Sequence, residues 1–383
     1  MIDGQSARLS TYYFCYFAYV GIFMPYFGLF LQSRGFAATE IGILMSMMQI
    51  MRLLAPNLWG WIADRWQNRV AVVRLSAVMS LLGFVAIFWA EGFWAYFAAL
   101  GVMSFFWTAT MPLLESMTLD HLAERADRYG QIRAWGSVGF IFASFGMGFV
   151  LERWSLGSIL PVSTAILASI VLGSLALREQ KSARARHHED HSGLGDILRQ
   201  PGVLALLLAC LLMSAAHGAL YVFYSIHLNQ AGYAKPLIGA LWTLGVLVEI
   251  GVFFLMPGLL KRYSLRAILL VCFATAVLRF TGIGWGVASL PLIVLLQCLH
   301  GITFGAYHAA SVAAVHRWFG PQHQSFGQAL YGSMSFGAGG IIGASLSGWL
   351  WDHAGPGWTF TSSAGFALAG FLILALAWRG SSR

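Results

Sequence analysis

Apolar stretches long enough to cross a bilayer recur along the whole of this 383-residue chain, separated by short turns. A helix needs about 20 apolar residues per crossing, and in lipid every backbone N–H and C=O must be satisfied within the fold. Such a chain therefore folds as a bundle of membrane helices. Composition closes the soluble alternative: 58% of the residues are hydrophobic and 10% charged, with a mean hydropathy of +0.70. A transmembrane barrel is excluded because its strands would alternate apolar and polar, whereas Val203 to Met213 is apolar all round. The expected class is an all-α polytopic membrane protein.

The pattern places twelve crossings, at 9–33, 39–63, 70–90, 94–121, 131–152, 157–177, 202–229, 236–259, 267–287, 290–317, 326–351 and 358–378. The first starts at Leu9, is too long for a signal-peptide core and is expected to stay in the mature protein. Pro25, Pro56 and Pro112 fall inside crossings and predict bends. Cys15, Cys210, Cys272 and Cys298 all lie in apolar stretches without C-x-x-C spacing, so they read as small core residues, with neither a disulfide framework nor a metal site. The longest polar stretch runs from Arg178 to Gln200; its segment Arg184 to His191 is rich in histidine and acid but reads as a solvated linker.

The basic residues set the orientation. With both termini cytoplasmic, 18 of the 23 Lys and Arg fall on inner loops and ends, and Arg34, Arg153 and Lys235 alone lie outside. That is the positive-inside bias of a multi-pass protein of the cell inner (plasma) membrane. The net charge of +8 is an orientation signal, and no nucleic-acid partner is expected. Arg52 and Arg279 fall in mid-membrane.

The halves repeat. An offset of 197 residues matches Gly21 with Gly218, Gly35 with Gly232, Ile41-Gly42 with Ile238-Gly239, Arg65 with Arg262, Arg69 with Arg266, and Gly130-Gln131 with Gly327-Gln328. With one residue of slippage, Trp135-Gly136-Ser137 meets Tyr331-Gly332-Ser333. Two parallel six-helix bundles follow, at 1–178 and 201–383, joined by a cytoplasmic linker at 179–200. In this the chain resembles the major facilitator superfamily. Gly60-Trp61-Ile62-Ala63-Asp64-Arg65, followed by Arg69, is similar to that family's G-x-x-x-D-R loop. The resemblance implies a gating role for Gly60, Asp64 and Arg65, and Arg52, on the same crossing, is expected to act in gating with them. Trp66, Gln67 and Asn68 depart from the usual glycine and basic residue, and Pro257 to Arg262 lacks the aspartate.

Crossing 1 carries Tyr12, Tyr16, Tyr19, Phe23, Tyr26 and Phe30 at spacings of three and four, a continuous face that either packs or lines a wet cavity. Crossing 7 repeats it with His217, Tyr221 and Tyr224. Crossings 5 and 11 carry small-residue faces, Gly136, Gly139, Ala143 and Gly146 in one and Gly339, Gly340, Gly343 and Ser347 in the other, which serve tight packing or rocking between halves.

Charges inside the membrane are costly and mark function. Glu115 and Arg133 flank one cytoplasmic turn at similar depth, where an ion pair is feasible, and Arg133 shares a face with Ser137, Phe140 and Ser144. An arginine there can grip a carboxylate or hydroxyl cluster bidentately, or clamp the bundle statically. Glu249, Arg279 and His300 fall on successive crossings at mid-membrane and form a candidate proton-coupling set, with His308 and His217 as further histidines; Asp120 is a marginal member of the buried acids. Arg52 and Glu249 are one offset apart.

An acid late on crossing 4, Tyr129 to Gly139 opening crossing 5, and acid, arginine and histidine on crossings 8, 9 and 10 resemble the lactose permease group of proton symporters. That resemblance implies substrate contacts at Glu115 and Arg133, and substrate binding or proton coupling at Glu249, Arg279 and His300. Where the group has a proton-carrying glutamate after the histidine, this chain reads Gly301-Ile302-Thr303-Phe304, which moves the expectation to Glu249. Arg133 to Ser137, Ala216 to Tyr221, Ala240 to Val246 with Glu249, and Leu299 to Phe304 are more similar still to the phenylpropionate permease branch, whose substrates are arylalkanoic acids.

No G-x-x-x-x-G-K-[ST], H-E-x-x-H or G-x-S-x-G occurs. The expectation is a secondary transporter, not an enzyme: a monomer in the lipid bilayer, without metal or cofactor, taking up a small-molecule solute with protons. An aromatic carboxylate fits best; sugar or nucleoside symport, proton-driven export of amphipathic compounds, and a non-transporting sensor are the alternatives.

Overall fold

The computed structural model describes residues 3–122, 125, 128–179, 194–320 and 322–378. The run Arg184 to His191 lies outside them.

Every regular element among the described residues is helical: α1 (Gly4–Ser33), α2 (Ala38–Trp66), α3 (Arg69–Val85), α4 (Gly92–Leu122), α5 (Tyr129–Arg153), α6 (Ile159–Ala176), α7 (Leu194–Arg199), α8 (Pro201–Gln230), α9 (Lys235–Arg262), α10 (Leu265–Trp285), α11 (Leu290–Cys298), α12 (Tyr307–Phe319), α13 (Gln324–Gly332) and α14 (Gly340–Ala377). Short 3₁₀ turns follow α3 at Ala86–Trp89 and precede α6 at Leu156–Ser158. Local chemistry sets the starts. Asp3 caps α1 by accepting from the Gln5 and Ser6 amides, Asn68 caps α3 through the Ala71 amide, and Ser264 caps α10 through the Ala267 amide. The Ser6 amide first, and the His121 ring beside it, hold the Asp3 carboxyl below the usual carboxylate range.

Eleven helical stretches are long and apolar enough to cross a membrane, and the last, Gln324–Ala377, is 54 residues. Gly355 breaks it with φ 82°, and Pro356 follows. It holds two crossings, so the twelve expected segments are all present. Where the sequence predicts simple helices, the tenth and eleventh crossings carry π-helical segments, Gly301–Ala306 between α11 and α12 and Ser333–Gly339 between α13 and α14.

The fold divides into two compact units. The first comprises Met1–Phe36, Met47–Arg186 and Ala234–Ala240; the second Ala37–Ser46, His187–Tyr233 and Leu241–Arg383. In the first, α1 packs against α5 and α6, and α3 against α4 and α6. In the second, α14 packs against α8 and α10. Glycine permits the closest of these contacts: a Cβ on Gly21 would lie 2.6 Å from the Phe140 carbonyl oxygen, and one on Gly218 would collide with the Gly343 backbone. Gly139 abuts the Phe14 backbone and Gly339 that of Leu211. At these positions the small-residue faces serve packing within each unit.

Arginines close the helix ends where the negative pole of the dipole lies. Arg74 donates to the carbonyls of Ser174, Leu175 and Leu177 at the end of α6, and Arg266 to those of Leu374 and Ala375 at the end of α14. Acids do the converse. In the first unit Glu152 accepts from the Lys235 amide at 3.1 Å. In the second Asp352 accepts from the amides of Ala38 and Thr39 and from the Thr39 hydroxyl.

Candidate functional site

The first unit gathers its polar and aromatic residues where α1, α4 and α5 meet. Tyr16 stacks on Trp107 with centroids 4.1 Å apart, and the field of Arg52 reaches it. Tyr19 also meets Trp107, at 4.6 Å, but its ring is enclosed by Phe23 and Phe84 and its hydroxyl points at Met103 Sδ. Tyr19 and Phe23 therefore behave as core. Tyr26 donates to the Ser144 carbonyl. The expected pair of Glu115 and Arg133 is looser than an ion pair: the Arg133 guanidinium lies 4.0 Å over the Phe17 ring and acts on Glu115 only through its longer-range field. Ser137 follows one turn later on α5, half-buried.

The gate-like loop has its own geometry. Gly60, Asp64 and Arg65 lie on the last turns of α2, with Arg65 5.9 Å from the Trp61 ring. Gln67, at φ 50°, takes the left-handed conformation that glycine adopts most readily. Arg69 is the anchored cation: it bonds Asp120 at 2.7 Å, Ser116 at 3.0 Å and Glu179 at 3.1 Å, while Glu179 also accepts from the Val70 amide. Asp120 is thus an enclosed acid paired with Arg69 near the ends of α3 and α4, and not one of the mid-membrane acids.

The second unit holds a buried cluster. Glu249 Oε2 on α9 is 3.8 Å from His300 Nε2. Arg279 on α10 lies fully buried and does not complete an ion pair with Glu249. Its Nε donates to the Leu296 carbonyl at 2.9 Å, its Nη1 to Thr303 Oγ1 and its Nη2 to Gln297 Oε1, each at 3.1 Å. Depth placed Arg279 beside Glu249, but the azimuth of its side chain turns it toward α11 and the π segment. On α8, His217 Nδ1 contacts the Met213 carbonyl at 2.9 Å, so that nitrogen carries the hydrogen and Nε2 presents a lone pair in the neutral ring. Tyr221 and Tyr224 stand against Trp242, which donates to Ser225.

His300, Phe304 and His308 form a column with ring planes 4° and 8° apart. In an α-helix, residues eight apart drift by about 80°; the wider π winding removes that drift and brings all three into line. His308 Nδ1 then meets the Tyr331 hydroxyl at 3.0 Å.

Sequence reasoning missed Gln297 and Thr303 as partners of Arg279, and Glu179 as a partner of Arg69. Gln297 carried a usable signal, as the one amide in the otherwise apolar α11. The four cysteines are free thiols, and among the described residues no group of three or more His, Cys, Asp and Glu is placed to hold a metal ion.

Comparison with known proteins agrees with this architecture. The model of the MFS_1 like family matches residues 6–362. A protein described as a probable 3-phenylpropionic acid transporter, from Escherichia coli (strain K12), is 30% identical over 360 residues, 92% of this chain and 93% of its own length. A maltose permease of Geobacillus stearothermophilus is 25% identical over 382 residues, covering 97% and 95% of the two chains. The crystal structure of the nucleoside transporter NupG superposes with a TM-score of 0.85 over 99% of this chain and 100% of that one; at 18% identity it speaks for the fold alone.

Proposed function

The chain belongs to the MFS_1 like family, and we propose that this membrane transporter imports a small aromatic carboxylate together with protons, by alternating access. The observation that carries the reading is the contact of Glu249 with His300 inside the second unit. Two groups that can each hold a proton, 3.8 Å apart in a low-dielectric setting, exchange proton affinity with any change in their neighbours. His308, bonded to Tyr331 at the far end of the ring column, extends the path.

An aromatic acid as substrate is supported by the similarity to a probable 3-phenylpropionic acid transporter of Escherichia coli and by the ring-lined groups of the first unit. There Tyr16, Glu115, Arg133 and Ser137 are the substrate contacts of this reading, and His217, Tyr221 and Tyr224 those of the second unit. Asp64, Arg65 and Gly60 are assigned to gating. The protein works as a monomer in the plasma membrane with both termini cytoplasmic, a placement supported by the 18 basic residues of its inner loops and ends.

Right-side-out vesicles under an imposed pH gradient test this. Accumulation of 3-phenylpropionate under an inward proton gradient is the expected result. Outward flux would establish an exporter, uptake of sugars or nucleosides alone would replace the substrate, and binding without flux would establish a sensor.

A further inference from the structure

Arg279 is the largest fully buried side chain among the described residues, and its three hydrogen bonds all end on neutral oxygens, those of Leu296, Gln297 and Thr303. Among the described residues it makes no ion pair with a carboxylate; Glu249 lies instead against His300. A buried cation lacking an anion is costly, because desolvation is not repaid by a partner charge. Hydrogen bonds to neutral groups offset only part of it.

The guanidinium also has unused capacity. Of its five N–H donors three are engaged, one on each nitrogen. The remaining two, one on Nη1 and one on Nη2, are available to carboxylate oxygens.

The surroundings carry further unsatisfied groups. The Tyr224 hydroxyl and His300 Nδ1 are buried without a hydrogen-bond partner, as is His217 Nε2. Tyr224, His300 and His217 all lie within the electrostatic reach of Arg279. The Tyr224 hydroxyl is a donor to a carboxylate oxygen, and His300 Nδ1 is one in the tautomer or charge state that places a hydrogen there; each is left idle by the protein itself. The Phe280 ring, 5.5 Å from the guanidinium carbon, and the ring of Phe304 against His300 supply apolar walls. Structures tolerate few buried orphans, and several around one cation point to a group that arrives from outside.

We infer that Arg279, with Tyr224 and His300, is the subsite that binds the carboxylate of the substrate, so that the transported anion is the missing counter-ion of the second unit. This rests on the proposed function and deepens it: the acid group, not only the aromatic ring, is selected, and the selecting arginine is Arg279 in place of Arg133. Arg133 already has the Phe17 ring over its face and Glu115 in its field, and so has less need of an external anion.

The test uses the purified full-length protein and three probes, 3-phenylpropionate, its neutral amide and a neutral sugar, with binding followed by calorimetry. The wild type prefers the acid over the amide by on the order of ten- to a hundredfold, the worth of charge-assisted hydrogen bonds. Arg279→Gln brings acid and amide to parity, whereas Arg133→Gln weakens both and keeps the preference. A second variant holds if Arg279→Gln does not fold: Gln297→Glu puts a carboxylate on the atom that already accepts from Nη2, and this internal anion lowers acid affinity by about tenfold or more. Parity in the wild type, a preference surviving in Arg279→Gln, or undiminished acid affinity in Gln297→Glu each overturns the assignment while leaving aryl-compound transport standing. Binding of the sugar alone, or of no probe, removes the substrate reading and this subsite with it.

Discussion

Glu249 and His300 face each other at 3.8 Å from neighbouring helices, with the Glu249 carboxylate on α9 and the His300 ring just before the π segment. At that distance they sense each other's charge without sharing a hydrogen bond, as the proposed proton exchange requires. Glu249→Gln keeps the shape and removes the titration. The expected result is loss of accumulation against a gradient with exchange of preloaded substrate retained. Vesicle counterflow measures both, and full accumulation by the variant would exclude Glu249 as the carrier.

Arg133 offers a second handle. Its flat guanidinium rests 4.0 Å above Phe17, a geometry an ammonium does not reproduce. Arg133→Lys is expected to weaken substrate binding by about 1 kcal/mol, through loss of the stacked face. An unchanged dissociation constant would remove Arg133 from the site.

The Arg69 network predicts unequal losses. Asp120 is the more enclosed partner, with 5% of its side chain exposed against 31% for Glu179. Asp120→Asn should cost about 2 kcal/mol of stability, and Glu179→Gln under about 1. Thermal unfolding in detergent orders the two variants, and equal shifts would contradict the difference in enclosure.

Gly21 and Gly218 make matched predictions. A methyl group at either site meets backbone, which cannot swing aside as a side chain can. Gly21→Ala and Gly218→Ala should each destabilise by about 1 to 3 kcal/mol. A neutral result at both would mean that α1 and α8 can slide on their neighbours.

Asp3 gives a pH dependence. Its carboxyl is held below the ordinary carboxylate range by the Ser6 amide and the His121 ring. A lowered value means the ionised form is favoured by folding, so this contribution is complete above the usual carboxylate range and fades as pH falls through the native value. The stability gap between wild type and Asp3→Asn, followed by thermal unfolding, should be constant near neutrality and close on acidification. A gap that widens in acid would reverse the sign.

What could be read in advance depended on whether one residue or many decided it. Crossings were legible because each rests on about 20 apolar side chains, and the break at Gly355-Pro356 falls between the expected eleventh and twelfth segments. Depth was legible too, which brought Glu249 and His300 together. Azimuth was not. Arg279 turns toward Gln297 on α11 and toward Thr303, which the π winding presents, and nothing in Gly301–Ala306 announces that winding. Gln67 escaped for a different reason: its left-handed φ is imposed by the turn between α2 and α3 against the preference of the residue.

The π segment at Ser333–Gly339 carries a record of how the halves diverged. Phe14 and Leu211 are 197 residues apart, yet the glycines that press on them, Gly139 and Gly339, are 200 apart. The acids Glu152 and Asp352 are also separated by 200, although the amides they hold, those of Lys235 and Ala38, keep the 197 spacing. Eight residues separate Gln131 from Gly139 where eleven separate Gln328 from Gly339. Three residues' difference in length therefore sits in the stretch that brings Tyr331 to His308, a change of length that substitution alone cannot undo. Counting residues across that interval becomes a ruler for kinship: a relative with eight there should wind as plain α-helix through the eleventh crossing, and one with eleven should share the π segment.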